Sequence, residues 1–74
     1  MRNTIYVIHN LSEAVLSDET LVYIVARCVD QQLWFWGAFR DSLTAQSVAL
    51  QVDGAVFLRF EVDLKGADKN EERD

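Results

Sequence analysis

Few side chains in this chain are able to do chemistry. His9 is the only histidine and Cys28 the only cysteine. A nucleophile–histidine–acid set would have to bring Ser12, Ser17, Ser42, Ser47 or Cys28 to His9 in space, and no motif ties any of them together. His9 closes a short apolar stretch, where an ordinary strand-end histidine belongs. Cys28 sits among apolar residues, with Arg27 directed to the other side of an expected strand. It lacks the electropositive surroundings that activate a thiolate, and is expected to be a small buried hydrophobe. Glu13, Asp18 and Glu19 cluster loosely but without calcium-loop spacing. Glu61 and Asp63 alternate with Arg59. On the outer face of a strand they serve solubility and edge protection rather than paired acid–base work. The three glycines stand alone at 37, 54 and 66, so no phosphate-cradling loop is present. The expectation is a protein that is not an enzyme, with no catalytic residue, no metal site and no cofactor.

The remaining functional signal is aromatic. Residues 33–39 hold both tryptophans and two of the four phenylalanines. As a strand, this segment puts Trp34 and Trp36 on one face and Leu33 and Phe35 on the other. Both faces then call for burial. A chain this short is expected to cover one sheet face with its own helix and to leave the other to a partner. Trp34, Trp36, Tyr23, Leu21 and Phe57 are the expected interface residues, because large aromatic side chains anchor interfaces and large exposed apolar patches are rare on monomers.

Composition narrows the class. The chain has 74 residues, half of them hydrophobic, enough for one small folded domain. With one cysteine it makes no internal disulfide, so efficient packing or self-association must supply stability. The lack of a disulfide framework fits a reducing, cytoplasmic setting. Arg2 precedes an apolar stretch over residues 5–8, too short for a signal-peptide core. No apolar run approaches the roughly 20 residues of a membrane-spanning helix. The net charge is −5, of which residues 1–64 hold −4 and residues 65–74 hold −1. An acidic body disfavours nucleic-acid binding, which needs clustered Lys and Arg.

The elements that must position these residues follow from periodicity. Residues 4–8 read as a strand rich in β-branched side chains, followed by a short helical turn capped by Asn10 or Ser12. Residues 20–25 are strongly β-prone, and a turn at residues 30–32 joins them to the aromatic strand as a hairpin. A helix over residues 18–32 is the alternative, because Ser17, Asp18 and Glu19 resemble a helix start. Asp41 is the expected N-cap of a helix over residues 42–52 whose buried stripe is Ala45, Val48, Ala49 and Val52, with Leu43 and Leu50 off it. Gly54 follows as the expected C′ residue. Val56, Leu58, Phe60, Val62 and Leu64 alternate with Phe57, Arg59, Glu61 and Asp63, predicting one half-buried strand over residues 55–64. Phe60 lies at the centre of its buried face.

The fold expected is α+β, a small antiparallel sheet in the order β-β-β-α-β along the chain with one helix packed on one face; an all-β arrangement is the other possibility. Residues 1–64 form the domain and residues 65–74 a disordered charged tail. In composition alone, the small size, acidic body and lack of proline resemble accessory proteins of phages and mobile elements, a likeness that assigns no residue a role. The function expected is a protein-interaction module that forms a homodimer, docks on a larger protein, or both, through the aromatic face. Two alternatives are an acidic inhibitor, presenting Glu13, Asp18, Glu19, Asp30, Asp41 and Asp53 to a basic nucleic-acid-binding site, and a small apolar-ligand pocket lined by Trp34, Trp36 and Tyr23.

Overall fold

The computed structural model describes residues 5–62. Its centre is the hairpin of β2 (Tyr23–Val29) and β3 (Gln32–Phe39). The β-branched run before Arg27 prevails over the helix-start signal at Ser17 and Asp18, so residues 23–29 are strand and the helical alternative over 18–32 is corrected. Asp18 instead closes a short helix, and its carboxylate accepts from the Thr20 N–H at 3.0 Å and the Thr20 hydroxyl at 2.7 Å. The hairpin turns through Asp30 and Gln31 alone, at φ 53° and 66°. Two successive left-handed residues make the mirror-image turn whose twist matches that of the flanking strands.

β3 carries a bulge. Ala26 lies opposite Phe35 and Val25 opposite Gly37, which leaves Trp36 without a partner on β2. The extra residue reverses the alternation beyond it. Leu33, Phe35 and then Ala38 share one face; Trp34, Gly37 and Phe39 share the other. Gly37 also makes room for a ring, since a Cβ there would stand 3.0 Å from the tip of Phe39.

α2 (Ser42–Val52) starts where Asp41 accepts from the Thr44 N–H at 2.9 Å and the Thr44 hydroxyl at 2.8 Å. The expected stripe is the buried one: Ala45 and Ala49 are buried, with Val48 and Val52 packed beside them. The helix ends at Asp53, which takes the left-handed conformation at φ 57°. Gly54 does not, so its predicted left-handed role is corrected. It opens β4 (Gly54–Leu58), where a Cβ would collide with the Ala26 carbonyl oxygen. β4 pairs antiparallel with β2, from Arg27↔Gly54 to Tyr23↔Leu58.

Among the described residues the strand expected over residues 4–8 is reduced and shifted to Ile8–His9, and its parallel pairing was not foreseen. β1 (Ile8–His9) pairs with β3 in parallel, so the sheet is mixed, in the order β1-β3-β2-β4. Asn10, at φ 68°, turns the chain out of the sheet, and α1 (Glu13–Ser17), capped by Ser12, follows. Two cores result. Val25, Ala45 and Ala49 are buried between the sheet and α2, with Tyr23, Phe39 and Val56 around them. Ile8, Leu11, Ile24 and Ala26 are buried on the opposite side, flanked by Val15, Leu16, Leu33, Phe35 and Phe57. The expectation that only one face finds cover within the chain is therefore corrected: α1 and the residues before it cover the second.

β4 is shorter than predicted. After Leu58 the chain makes a 3-10 turn over Arg59–Glu61. Its last rung is the Arg59 N–H to the Val22 carbonyl, at 2.8 Å. The Glu61 carboxylate then accepts from the Leu58 N–H at 3.1 Å, and the Arg59 guanidinium donates to the Leu16 carbonyl at 3.2 Å. These bonds turn Phe60 outward, leaving it 79 % exposed, while Val62 bridges to Tyr6. Phe60 is thus not a core residue, and Glu61 lies in a turn rather than on a strand face. Leu64, Asp63 and the expected tail over residues 65–74 lie outside the described residues.

Candidate interaction surface

The path of α2 decides what is left bare. It leaves β3 just after Phe39 and must deliver the chain to Gly54, on the far edge of the sheet with β2 between. Two strand spacings separate those points, roughly 10 Å. The helix therefore lies mainly over β2 and β4, and Phe39 is the one β3 residue packed in its core. Among the described residues nothing covers the hairpin half of β3 on this side. Trp34 and Trp36 stand there, 37 % and 50 % exposed.

Neighbouring strands hold both indoles. His9 pairs with Trp34 across β1 and β3, and their ring centroids are 4.7 Å apart with planes tilted by 33°. Arg27 is opposite Trp34 on β2, and its guanidinium carbon is 6.0 Å from the centre of the Trp36 ring. That distance is the outer reach of a cation–π contact. Trp34, Trp36, Arg27, Val29, Asp30 and Gln32 line a shallow depression of about 360 Å³. Its rim carries one cation, Arg27, and one anion, Asp30. The arrangement offers two flat apolar rings, a charge of each sign beside them and open access. That suits surface recognition.

Of the five expected interface residues, only Trp34 and Trp36 come together. Tyr23 lies at the opposite end of the same face, half-buried against the α2 core. Leu21 precedes β2 and is half-buried, its N–H bonded to the Asp18 carbonyl at 3.0 Å. Phe57 is on the other face, its ring 4.4 Å from that of Tyr6. Arg27 was not read as a partner of Trp34, because the turn expected over residues 30–32 is one residue longer than the turn at Asp30 and Gln31 that sets this register. Nor was His9, because a parallel pairing with β3 leaves no local trace.

The other chemical candidates are dispersed. Cys28 is exposed, not buried, because it lies toward the hairpin end, opposite Leu33. Glu13, Asp18, Glu19, Asp30, Asp41 and Asp53 are all exposed. The Thr20 hydroxyl and N–H hold the Asp18 carboxyl below its ordinary range, and Thr44 does the same for Asp41. These two acids serve as turn and cap. Among the described residues no three potential metal ligands gather, and no helix is long and apolar enough to cross a membrane. Compared with known proteins, the chain matches no family model, no curated protein and no solved structure.

Proposed function

We propose that this protein is a small non-enzymatic interaction module that docks on a larger protein through the shelf of Trp34 and Trp36. The observation that supports it is the bare quarter of the sheet: two indoles, 37 % and 50 % exposed, beside a sheet that has a buried core on each face. Tryptophan is enriched at binding hot spots because one ring offers a large contact area. The close contact with His9 restrains the Trp34 ring before binding, so less of its side-chain freedom is lost on docking. The matching partner presents an apolar side chain to the depression, with opposite charges set against Arg27 and Asp30.

The inhibitor reading draws on the exposure of the six carboxylates. It is weaker because Asp18 and Asp41 each already commit one carboxylate oxygen to the chain's own turns. Salt separates the two. Tagged protein is used to capture a partner from the native host, and the purified partner is then titrated at rising ionic strength. Indole docking is expected to persist at about 0.5 M salt, where the screening length is only a few ångströms. Trp36→Ala is expected to abolish binding with circular dichroism unchanged. Steep loss with salt, or full binding by a folded Trp36→Ala variant, rejects the shelf.

A further inference from the structure

A second surface, independent of the shelf, stands on the outer side of α2. This helix has no charged residue over its 11 positions, although residues 1–64 carry a net −4. Surface helices ordinarily line their outer face with charge. Here that face presents Leu43 and Leu50, 72 % and 84 % exposed, both turned away from the buried stripe of Ala45 and Ala49. They are seven residues apart and so lie two turns apart on one line. Gln46 and Ser47 lie between them, both exposed.

We propose that this face binds a second copy of itself, as an antiparallel pair of α2 helices about a twofold axis. The spacing is self-complementary. Setting Leu43 against the copy's Leu50 also sets Gln46 against Ser47 at the axis. The same register brings Arg40, just before the helix, to the level of the copy's Asp53, just after it. Both of these are exposed. Each charge then meets an opposite charge, and each also meets the favourable end of the other helix dipole. An isologous contact needs this kind of self-matching. The uncharged face is also where two acidic bodies approach with least repulsion. The helix is about 16 Å long, so the contact is small beside the roughly 800 Å² per partner of a standard interface. The dimer is weak and forms at high protein concentration.

Sedimentation velocity on the full chain, from micromolar to millimolar concentration, tests this. The wild type is expected to shift from the 8.5 kDa monomer toward twice that mass. Leu43→Lys with Leu50→Lys is expected to hold the chain monomeric throughout, with unchanged circular dichroism, since neither side chain is packed. Arg40→Glu is expected to weaken the dimer at least several-fold by setting a carboxylate against that of Asp53, and adding Asp53→Asn to recover part of the loss. Trp36→Ala is expected to dimerise as the wild type does. A wild type that stays monomeric at millimolar concentration overturns the proposal, as does a dimer that survives the double leucine change. A dimer lost only in Trp36→Ala assigns self-association to the shelf and also overturns it. None of these results bears on whether the shelf binds a different protein.

Discussion

The helix-bearing side of the sheet has two halves built from the same strands. Over one half, Tyr23, Val25, Phe39 and Val56 lie under α2 and make a core. Over the other, Arg27, Trp34 and Trp36 face the same way with nothing above them among the described residues. Residue size does not explain the difference, since the largest side chains are on the bare half. Topology does. A helix that must carry the chain from β3 to the far edge at β4 cannot also cover the hairpin half of β3. Side-chain direction follows from a period of two, whereas burial follows from where the connection runs.

The most direct way to break this comparison is to shorten one side chain in each half. Val25 is fully buried against Ala45 and Ala49. Val25→Ala is expected to cost about 2 kcal/mol through lost contact and a residual cavity. Trp36→Ala, despite deleting far more atoms, is expected to cost under about 1 kcal/mol, in the range of surface changes. Urea denaturation of both variants decides. If Trp36→Ala is the more damaging, the bare half is core and the shelf is misread.

The end of β4 shows the same lesson on a smaller scale. Apolar residues recur at every second position from Val56 to Leu64, opposite charged ones from Arg59 onward, and the pattern predicts Phe60 inside. The strand ends at Leu58 because its last rung is made to Val22, the residue before β2. Beyond that, side-chain bonds of Arg59 and Glu61 outweigh the pattern. Arg59→Ala is expected to cost about 1–1.5 kcal/mol, because it leaves the half-buried Leu16 carbonyl without its donor. Phe60→Ala is expected to stay within about 0.5 kcal/mol. Thermal melts that reverse this order restore the strand reading.

Local signals were therefore readable and distant ones were not. The hairpin followed from β-branched residues around a turn, and α2 from Asp41 and its Ala45–Ala49 stripe. The common direction of Trp34 and Trp36 followed from their spacing. Tyr23 and Phe57 could not be assigned correctly by spacing, because their cover comes from α2 and from Tyr6, elements remote in sequence. The parallel pairing of Ile8 and His9 with β3, which closes the second face and props Trp34, is non-local in the same way.

The hairpin turn gives a way to sharpen the comparison by stabilising the bare half. Gln31 sits at φ 66° without being glycine, a conformation that costs a side-chain-bearing residue about 1–2 kcal/mol. Gln31→Gly is expected to stabilise the fold by about 0.5–1 kcal/mol, offset in part by the greater freedom of glycine in the unfolded chain. It should leave Arg27 opposite Trp34, and so leave partner binding by the shelf unchanged. Denaturant midpoints measure the first effect and titration with the captured partner the second. A loss of stability would mean that the Gln31 side chain makes contacts that matter more than the turn geometry.

The smallest expected effect concerns the covered half alone. The Asp41 carboxylate caps α2, and its bonds to the Thr44 hydroxyl and N–H hold its pKa below the ordinary 3.8. A carboxyl with a lowered folded pKa stabilises the fold fully above the ordinary value and loses that contribution as the pH falls through the lowered one. Asp41→Asn keeps an acceptor at the cap but removes the titration. The two proteins are expected to melt alike at neutral pH. Below about pH 4 the wild type should lose stability faster, because Asp18 and the other acids are common to both. Helicity by circular dichroism reports α2, while fluorescence of Trp34 and Trp36 reports the bare half. Loosening of the cap should lower helicity before the fluorescence changes. If both signals shift together and the variant shows the same acid profile as the wild type, the cap does not set the acid response and the two halves melt as one.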